Sequence, residues 1–249
     1  MLPLTGKNVV VIGGSRGVGR RVVEAAIRNG ARVLAVARQE GPLQQLAKEV
    51  SGSEILSLDA TDDGAPGKVF DTLKPDILVV GAGAFPPAAP LHRQSWREFK
   101  VNWETDVKIA FNFCKAALLR PLPAGASVVL ISSGAALAGS PNSGGYAGAK
   151  RTQIFIADYS QKESDRLELG LRFVALAPRM IPETDLGKHA VAGYSRYLGM
   201  PTADFIKSMD SPPTASDVAA AVIQLATNPD HSKGKTFVVS GEGLHTAAL

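Results

Sequence analysis

The sequence predicts an α/β domain, a doubly wound parallel sheet with helices on both faces. Three observations predict it. Short β-branched runs alternate with longer amphipathic segments along the whole chain. Several of the short runs are apolar at nearly every position, as strands covered on both faces must be. No break in composition, internal repeat or low-complexity linker divides the 249 residues, so residues 1–249 are expected to form one domain.

Lys7–Gly13, with Val9-Val10-Val11-Ile12 at its centre, reads as the first strand, followed by a glycine-rich turn and the helical stretch Arg20–Arg28. Ala31–Ala37, Glu54–Leu58 and Asp76–Gly81 read as the next three strands. Trp96–Leu119 reads as one long helix carrying Phe99, Trp103, Val107, Ala110, Phe111, Cys114 and Leu118 on one face, packed on the sheet or used between subunits. Ser127–Ser132, Leu171–Ala177 and Thr236–Val239 complete the strands. The segment 182–213 interrupts the rhythm near the end of the sixth strand. Its Tyr194, Tyr197, Leu198, Met200 and Phe205 suit a substrate-binding lid.

Composition narrows the function. Hydrophobic residues make up 45% and charged residues 20%, ordinary for a globular enzyme, and the net charge of +4 comes from scattered residues with no basic stripe. No nucleic-acid partner is expected. No apolar run reaches the roughly 18 residues that span a bilayer, so no membrane partner is expected. Met1–Lys7 lacks the layout of a secretory leader, and the single cysteine, Cys114, suits a reducing compartment; a cytoplasmic location is expected. Cys114 lies among apolar residues and reads as a buried structural thiol. The histidines His92, His189, His231 and His245 show no metal-ligand spacing, so no metal is expected, and each reads as a surface loop residue.

Chemistry enters at the first turn, Gly13-Gly14-Ser15-Arg16-Gly17-Val18-Gly19. Glycines allow the backbone to approach a pyrophosphate, and the helix that follows directs free N–H groups and a positive dipole end at it. Strand, turn and helix occur in the order a dinucleotide site requires. Some twenty residues on, where an acidic side chain would receive the adenosine ribose, the chain has Arg38 instead. With Arg16 it can clamp a 2′-phosphate through charge-assisted hydrogen bonds, which predicts NADP(H), with NAD(H) as the alternative. Asp59-Ala60, at the end of the third strand, is a candidate adenine contact, although Asp59 can equally cap a following helix.

A second constellation follows the fifth strand. Ser133 stands at its end, and Tyr146 and Lys150, four residues apart, share a helix face. Carbonyl reduction needs a proton donor for the developing alkoxide. Free tyrosine ionises near pH 10, and a neighbouring ammonium shifts that ionisation toward neutral pH. Tyr146 is therefore the candidate acid and base, Lys150 its activator and a ribose contact, and Ser133 the group orienting the substrate oxygen.

Over essentially its whole length the chain resembles the short-chain dehydrogenases/reductases. Gly13, Gly17 and Gly19 match that family's cofactor turn, and Ser133, Tyr146 and Lys150 match its catalytic triad. The resemblance implies a Rossmann-type sheet of seven parallel strands, a homotetramer or dimer, and NADP(H) use marked by Arg16 and Arg38. It further implies that Asn102 takes the fourth catalytic position, holding a water that links the lysine to solvent. Gly81, Ala82 and Gly83 fall at the cofactor loop after strand four, and Pro178 and Ile181 at the nicotinamide end. The sequence also departs from the family pattern. Val80 stands where the family has asparagine, Ile12 where it has threonine, Arg179 where it has glycine, and Ser240-Gly241-Glu242 replaces Asp-Gly-Gly. We expect Ile12 and Val80 to pack together as an apolar replacement for a polar pair, and Arg179 to alter the nicotinamide pocket or meet an acidic substrate. The expected activity is hydride transfer between nicotinamide and a small carbonyl or alcohol, in a pocket walled by Phe85, Ala135 and the lid. The alternatives are an NAD-dependent dehydrogenase and a non-catalytic redox sensor, which would need no proton donor.

Overall fold

Val9, Val10, Val11 and Ile12 are each at most 1% exposed. Alternate side chains of a strand face opposite ways, so a run apolar throughout fits only a strand with cover on both sides. In the computed structural model, which describes residues 1–228 and 235–247, this run is β1 (Asn8–Ile12), near the middle of an eight-stranded sheet. Then follow α1 (Gly17–Arg28), β2 (Arg32–Ala37), α2 (Glu40–Glu49), β3 (Ser53–Ser57), α3 (Ala65–Thr72) and β4 (Ile77–Val80). After β4 come a short 3₁₀ turn (Leu91–Arg93), α4 (Trp96–Phe99), a π-helical turn (Trp103–Val107), α5 (Lys108–Leu119), β5 (Ser127–Ile131), α6 (Ala135–Ala138) and α7 (Gly144–Arg166). The chain continues through β6 (Arg172–Pro178), α8 (Asp185–Leu198), α9 (Thr202–Lys207), α10 (Ala215–Thr227), β7 (Thr236–Ser240) and β8 (Gly243–Thr246).

The strand order is β3-β2-β1-β4-β5-β6-β7-β8. β1 to β7 are parallel, as expected, but an eighth strand adds an antiparallel edge by turning back on β7. Val9 and Val11 face α1 and α10, whereas Val10 and Ile12 face α3, α5 and α7. Chain order reverses between β1 and β4. In an open α/β sheet this switch point leaves a crevice beyond the carboxyl ends of the strands.

The predicted single helix over 96–119 is broken. α4 ends at Phe99, and a π turn carries the chain into α5. The extra residue in the π turn rotates the face, so the buried side chains are Asp106, Ile109, Ala110, Phe113, Cys114 and Ala117. Phe111 and Trp103, expected on the face packed on the sheet or used between subunits, are 51% and 40% exposed. The segment 182–213, expected to be a lid, is helical, with α8 and α9 inside it. Thr184 caps the start of α8 by accepting from the Gly187 N–H, and Gly199, in the left-handed region at φ 66°, ends it.

Ile12 and Val80 are register partners on β1 and β4, both buried in the same core layer. Their pairing leaves no polar group to satisfy. Ile12→Thr should therefore lower the unfolding free energy by about 1–3 kcal/mol, because a lone hydroxyl is buried there and a methyl contact is lost. Denaturant titration checks this, and an unchanged or raised midpoint contradicts it.

Candidate active site

A cleft of about 1050 Å³ opens at the switch point. Its first wall is the glycine turn. Gly13 sits at φ 91°, and a Cβ there would lie 2.7 Å from the Ala82 nitrogen; a Cβ on Gly19 would strike the Gly13 carbonyl. Side chains at these positions would fill the cradle between β1 and the loop after β4. The N-cap of α1, Arg16, makes no side-chain cap, and the first turn holds no acidic residue. By contrast, Thr214 and Asp217 close the start of α10 with a reciprocal capping box. The start of α1 thus keeps its N–H groups and positive dipole end for an anion. These residues fit the pyrophosphate of a dinucleotide. Gly13, Ser15, Arg16, Gly17, Val18 and Gly19 all line the cleft, as do Gly81, Ala82 and Gly83 across from them.

At one end of the cleft stand Arg38, Asp59 and Ala60. The Arg38 side chain is 74% exposed, with Nη1 3.7 Å from Asp59 Oδ2. Asp59 Oδ1 accepts from the Thr61 N–H at 2.9 Å and from Thr61 Oγ1 at 2.7 Å, closing a local turn. Those hydrogen bonds hold its carboxyl below the usual range, with the Arg38 charge adding to the effect. The Arg16 guanidinium lies 5.4 Å from the centre of the Phe85 ring.

At the other end lie Ser133, Tyr146 and Lys150, with Pro178 and Ile181 beside them. The two serines ending β5 do different things. Ser132 is buried and donates to the Lys150 carbonyl at 2.8 Å, tying the strand end to α7. Ser133 reaches the cleft, where its Oγ accepts from the Ala135 N–H at 3.2 Å. Lys150 is 6% exposed; its Nζ donates to the Ile131 carbonyl at 3.0 Å and to Gln153 Oε1 at 3.1 Å, and lies 5.6 Å from the centre of the Tyr146 ring.

Asn102 is not brought to the cleft. It is fully buried, and its Nδ2 donates to the Ala84 carbonyl at 2.8 Å and to Asp106 Oδ1 at 3.2 Å. The residue that lines the cleft and faces the lysine is Asp106, one turn later, with Oδ2 3.2 Å from Lys150 Nζ. Sequence reading missed it. The signal available was an acid four residues after the asparagine, on the same face of a helical stretch.

The pocket walls include Phe85, Ala135 and, from the lid, Tyr194; Tyr197, Leu198, Met200 and Phe205 do not reach it. Tyr194 stacks on Phe205 with 5.5 Å between ring centres, and its hydroxyl is 2.7 Å from Ser140 Oγ, which in turn is 2.7 Å from Ser143 Oγ. Arg179 also lines the cleft and binds the lid through Asp210, donating to its carbonyl and to Oδ2, each at 3.2 Å. Among the histidines, His189 is not a loop residue. It sits half-buried on α8, with Nε2 2.8 Å from the Pro86 carbonyl and its ring edge-on to Phe85. His92 lies in the 3₁₀ turn and His245 on β8, both exposed, while His231 lies outside the described residues. Burial pushes the Cys114 thiol up to about 12, so it stays protonated and inert.

The profile of the short chain dehydrogenases matches residues 7–195, three quarters of the chain and every element from β1 into α8. The chain belongs to that family. A short-chain dehydrogenase is an oxidoreductase working with a nicotinamide cofactor, which the cradle described above fits. Among curated relatives, the chain is 30% identical over 134 residues to L-xylulose reductase of Homo sapiens, covering 52% of this chain and 54% of that one. It is 32% identical over 142 residues to a 3-dehydrosphinganine reductase of Arabidopsis thaliana, covering 53% and 43%. To L-fucose dehydrogenase of Mus musculus it is 27% identical over 247 residues, covering 95% and 88%. The chain spans about half the length of the first two. Among the described residues no helix is long and apolar enough to cross a membrane.

The different bonding of the serines has a measurable consequence. Ser132→Ala should destabilise the fold by about 1 kcal/mol through loss of a buried hydrogen bond. Ser133→Ala should cost less stability but impair turnover. Thermal unfolding and turnover measured on both variants check this; the reverse pattern contradicts it.

Proposed function

We propose that the chain is an NADP(H)-dependent carbonyl reductase or alcohol dehydrogenase acting on a small carbonyl/alcohol pair. One observation carries the reading. A single cleft is lined by the glycine turn with Arg16 and Arg38 and also by Ser133, Tyr146 and Lys150.

When bound, the nicotinamide supplies or accepts the hydride. The protein supplies the rest. In reduction, the Tyr146 O–H bond breaks as its proton passes to the carbonyl oxygen, and the Lys150 ammonium stabilises the phenolate left behind. Ser133 donates a hydrogen bond to the same oxygen and orients it. In oxidation the phenolate takes the alcohol proton. Arg16 and Arg38 bind the 2′-phosphate, and the open start of α1 binds the pyrophosphate. Phe85, Ala135 and Tyr194 give the substrate an apolar wall, and the linked hydroxyls of Ser140, Ser143 and Tyr194 give it polar contacts; a medium-sized, partly apolar carbonyl with hydroxyl groups suits both. The relatives are named as reductases of L-xylulose and 3-dehydrosphinganine and as a dehydrogenase of L-fucose, in keeping with a carbonyl/alcohol pair as substrate. NAD(H) is the second reading, favoured by the Asp59 carboxylate beside Arg38.

The proposed assembly is a homo-oligomer, dimer or tetramer, in the cytoplasm. The exposed aromatic rings of Trp103, Phe111, Phe155 and Tyr159, on the π turn, α5 and α7, support a subunit contact there. Phe155→Glu should then reduce the mass measured by analytical ultracentrifugation; a monomeric wild-type protein contradicts it.

Separate titrations with NADPH and NADH test the cofactor. NADPH should bind more tightly, and Arg38→Ala should weaken it about tenfold, the loss expected for one charge-assisted contact, while NADH changes little. Equal or reversed affinities in the wild type overturn the clamp. Turnover of a panel of ketones and alcohols should fall at least a hundredfold in Tyr146→Phe, in line with the loss of general acid–base catalysis. Tight NADPH binding with no turnover across the panel favours a cofactor-binding sensor instead.

A further inference from the structure

The Lys150 ammonium does not face the phenol alone. Asp106, 1% exposed, sets its Oδ2 3.2 Å from Nζ, while its Oδ1 accepts from the Ala84 N–H at 2.9 Å and from Asn102 Nδ2 at 3.2 Å. Its own carbonyl accepts from Gln153 Nε2 at 3.0 Å, and Gln153 Oε1 is a second acceptor for Lys150. The carboxylate fits because residue 83 is glycine, where a Cβ would lie 2.6 Å from Oδ2. Two buried acceptors in this cluster, Asn102 Oδ1 and Asp106 Oδ2, have no hydrogen-bond donor aligned on them. Asp106 Oδ2 therefore acts on Lys150 through its charge and not through a directed hydrogen bond.

A buried anion beside a buried cation cancels much of the field the cation exerts further out. Lys150 lies 5.6 Å from the Tyr146 ring centre, and the Asp106 carboxylate paired with it offsets part of the charge that it carries there. Resting on the redox reading above, we propose that Asp106 is a positioning residue that acts through Lys150 to keep Tyr146 in its protonated, proton-donating form to higher pH, setting the site for carbonyl reduction. It fixes the ammonium in place and sets how much of its charge the phenol experiences. The other charged groups lining the cleft are Arg16, Arg38, Asp59, Arg179, Asp185 and Asp210.

The test follows the near-ultraviolet absorbance of tyrosinate in the full chain as pH is raised. The chain has four tyrosines, and subtracting the curve of Tyr146→Phe isolates Tyr146 from the others. In Asp106→Asn the Tyr146 midpoint should fall by about one pH unit, a tenfold change in the ionised fraction, as expected when a nearby opposing charge is removed. With any substrate that turns over, the alkaline limb of the reduction rate should move down by the same amount. If Asp106→Asn does not fold, Asp106→Ser is read in the same way. A coincident or raised midpoint in a folded variant overturns the proposal, since a merely structural aspartate would change stability and leave the curve in place. The absorbance needs no substrate. A lowered midpoint without turnover therefore rejects the redox reading and keeps the coupling, whereas turnover with coincident midpoints rejects the coupling alone.

Discussion

The part of the cleft lined by Ser133, Tyr146 and Lys150 depends on one buried ammonium. Lys150 Nζ is held by the carbonyl that ends β5, by Gln153 one turn along its own helix, and by the Asp106 carboxylate from the π turn, while Ser132 binds the lysine's backbone carbonyl. An unpaired ammonium at this depth would cost several kcal/mol, and removing one partner of such a pair leaves the other stranded. Strand, helix and π turn are thus fastened at one point. That point fixes where Tyr146 and Ser133 stand.

The rest of the cleft follows from topology and small residues. Reversal of strand order between β1 and β4 opens the crevice, and the all-apolar strands on either side make its floor rigid. Gly13, Gly19 and Gly83 are absences that serve the site. The first two let a turn close against the neighbouring loop, and the third admits a carboxylate that any side chain would displace. The departures from the family pattern divide by location. Ile12 and Val80 are buried register partners on β1 and β4, whereas Arg179 stands in the cleft wall and is tied to the 182–213 segment at Asp210.

Much of this was legible in the residues. Seven strands, the glycine turn and the convergence of Ser133, Tyr146 and Lys150 follow from runs and spacings that local physics enforces. β8 was not legible, because Leu244-His245-Thr246 carries one apolar residue and gains its pairing only from a tight turn beside β7. The break in the helix over 96–119 was hidden for a different reason. A π turn adds one residue without changing composition, so the three- and four-residue steps continue on paper while the face rotates in space. The same turn hid the lysine's partner: Asn102 and Asp106 share a helix face, and only the three-dimensional path shows that the second reaches Lys150 and the first stops at the Ala84 carbonyl. Electrostatic pairing across distant segments leaves no periodic trace.

In the proposed function the phenol of Tyr146 and the ammonium of Lys150 stand beside the nicotinamide ring while Arg16 and Arg38 hold the opposite end of the cofactor. A crystal structure of the chain with NADP⁺ tests it most directly. The account predicts the Tyr146 hydroxyl at the edge of the ring, Lys150 within hydrogen-bond reach of the adjoining ribose, and the 2′-phosphate between the two arginines. A cofactor lying away from this cleft, or a Tyr146 hydroxyl directed away from the ring, would contradict it.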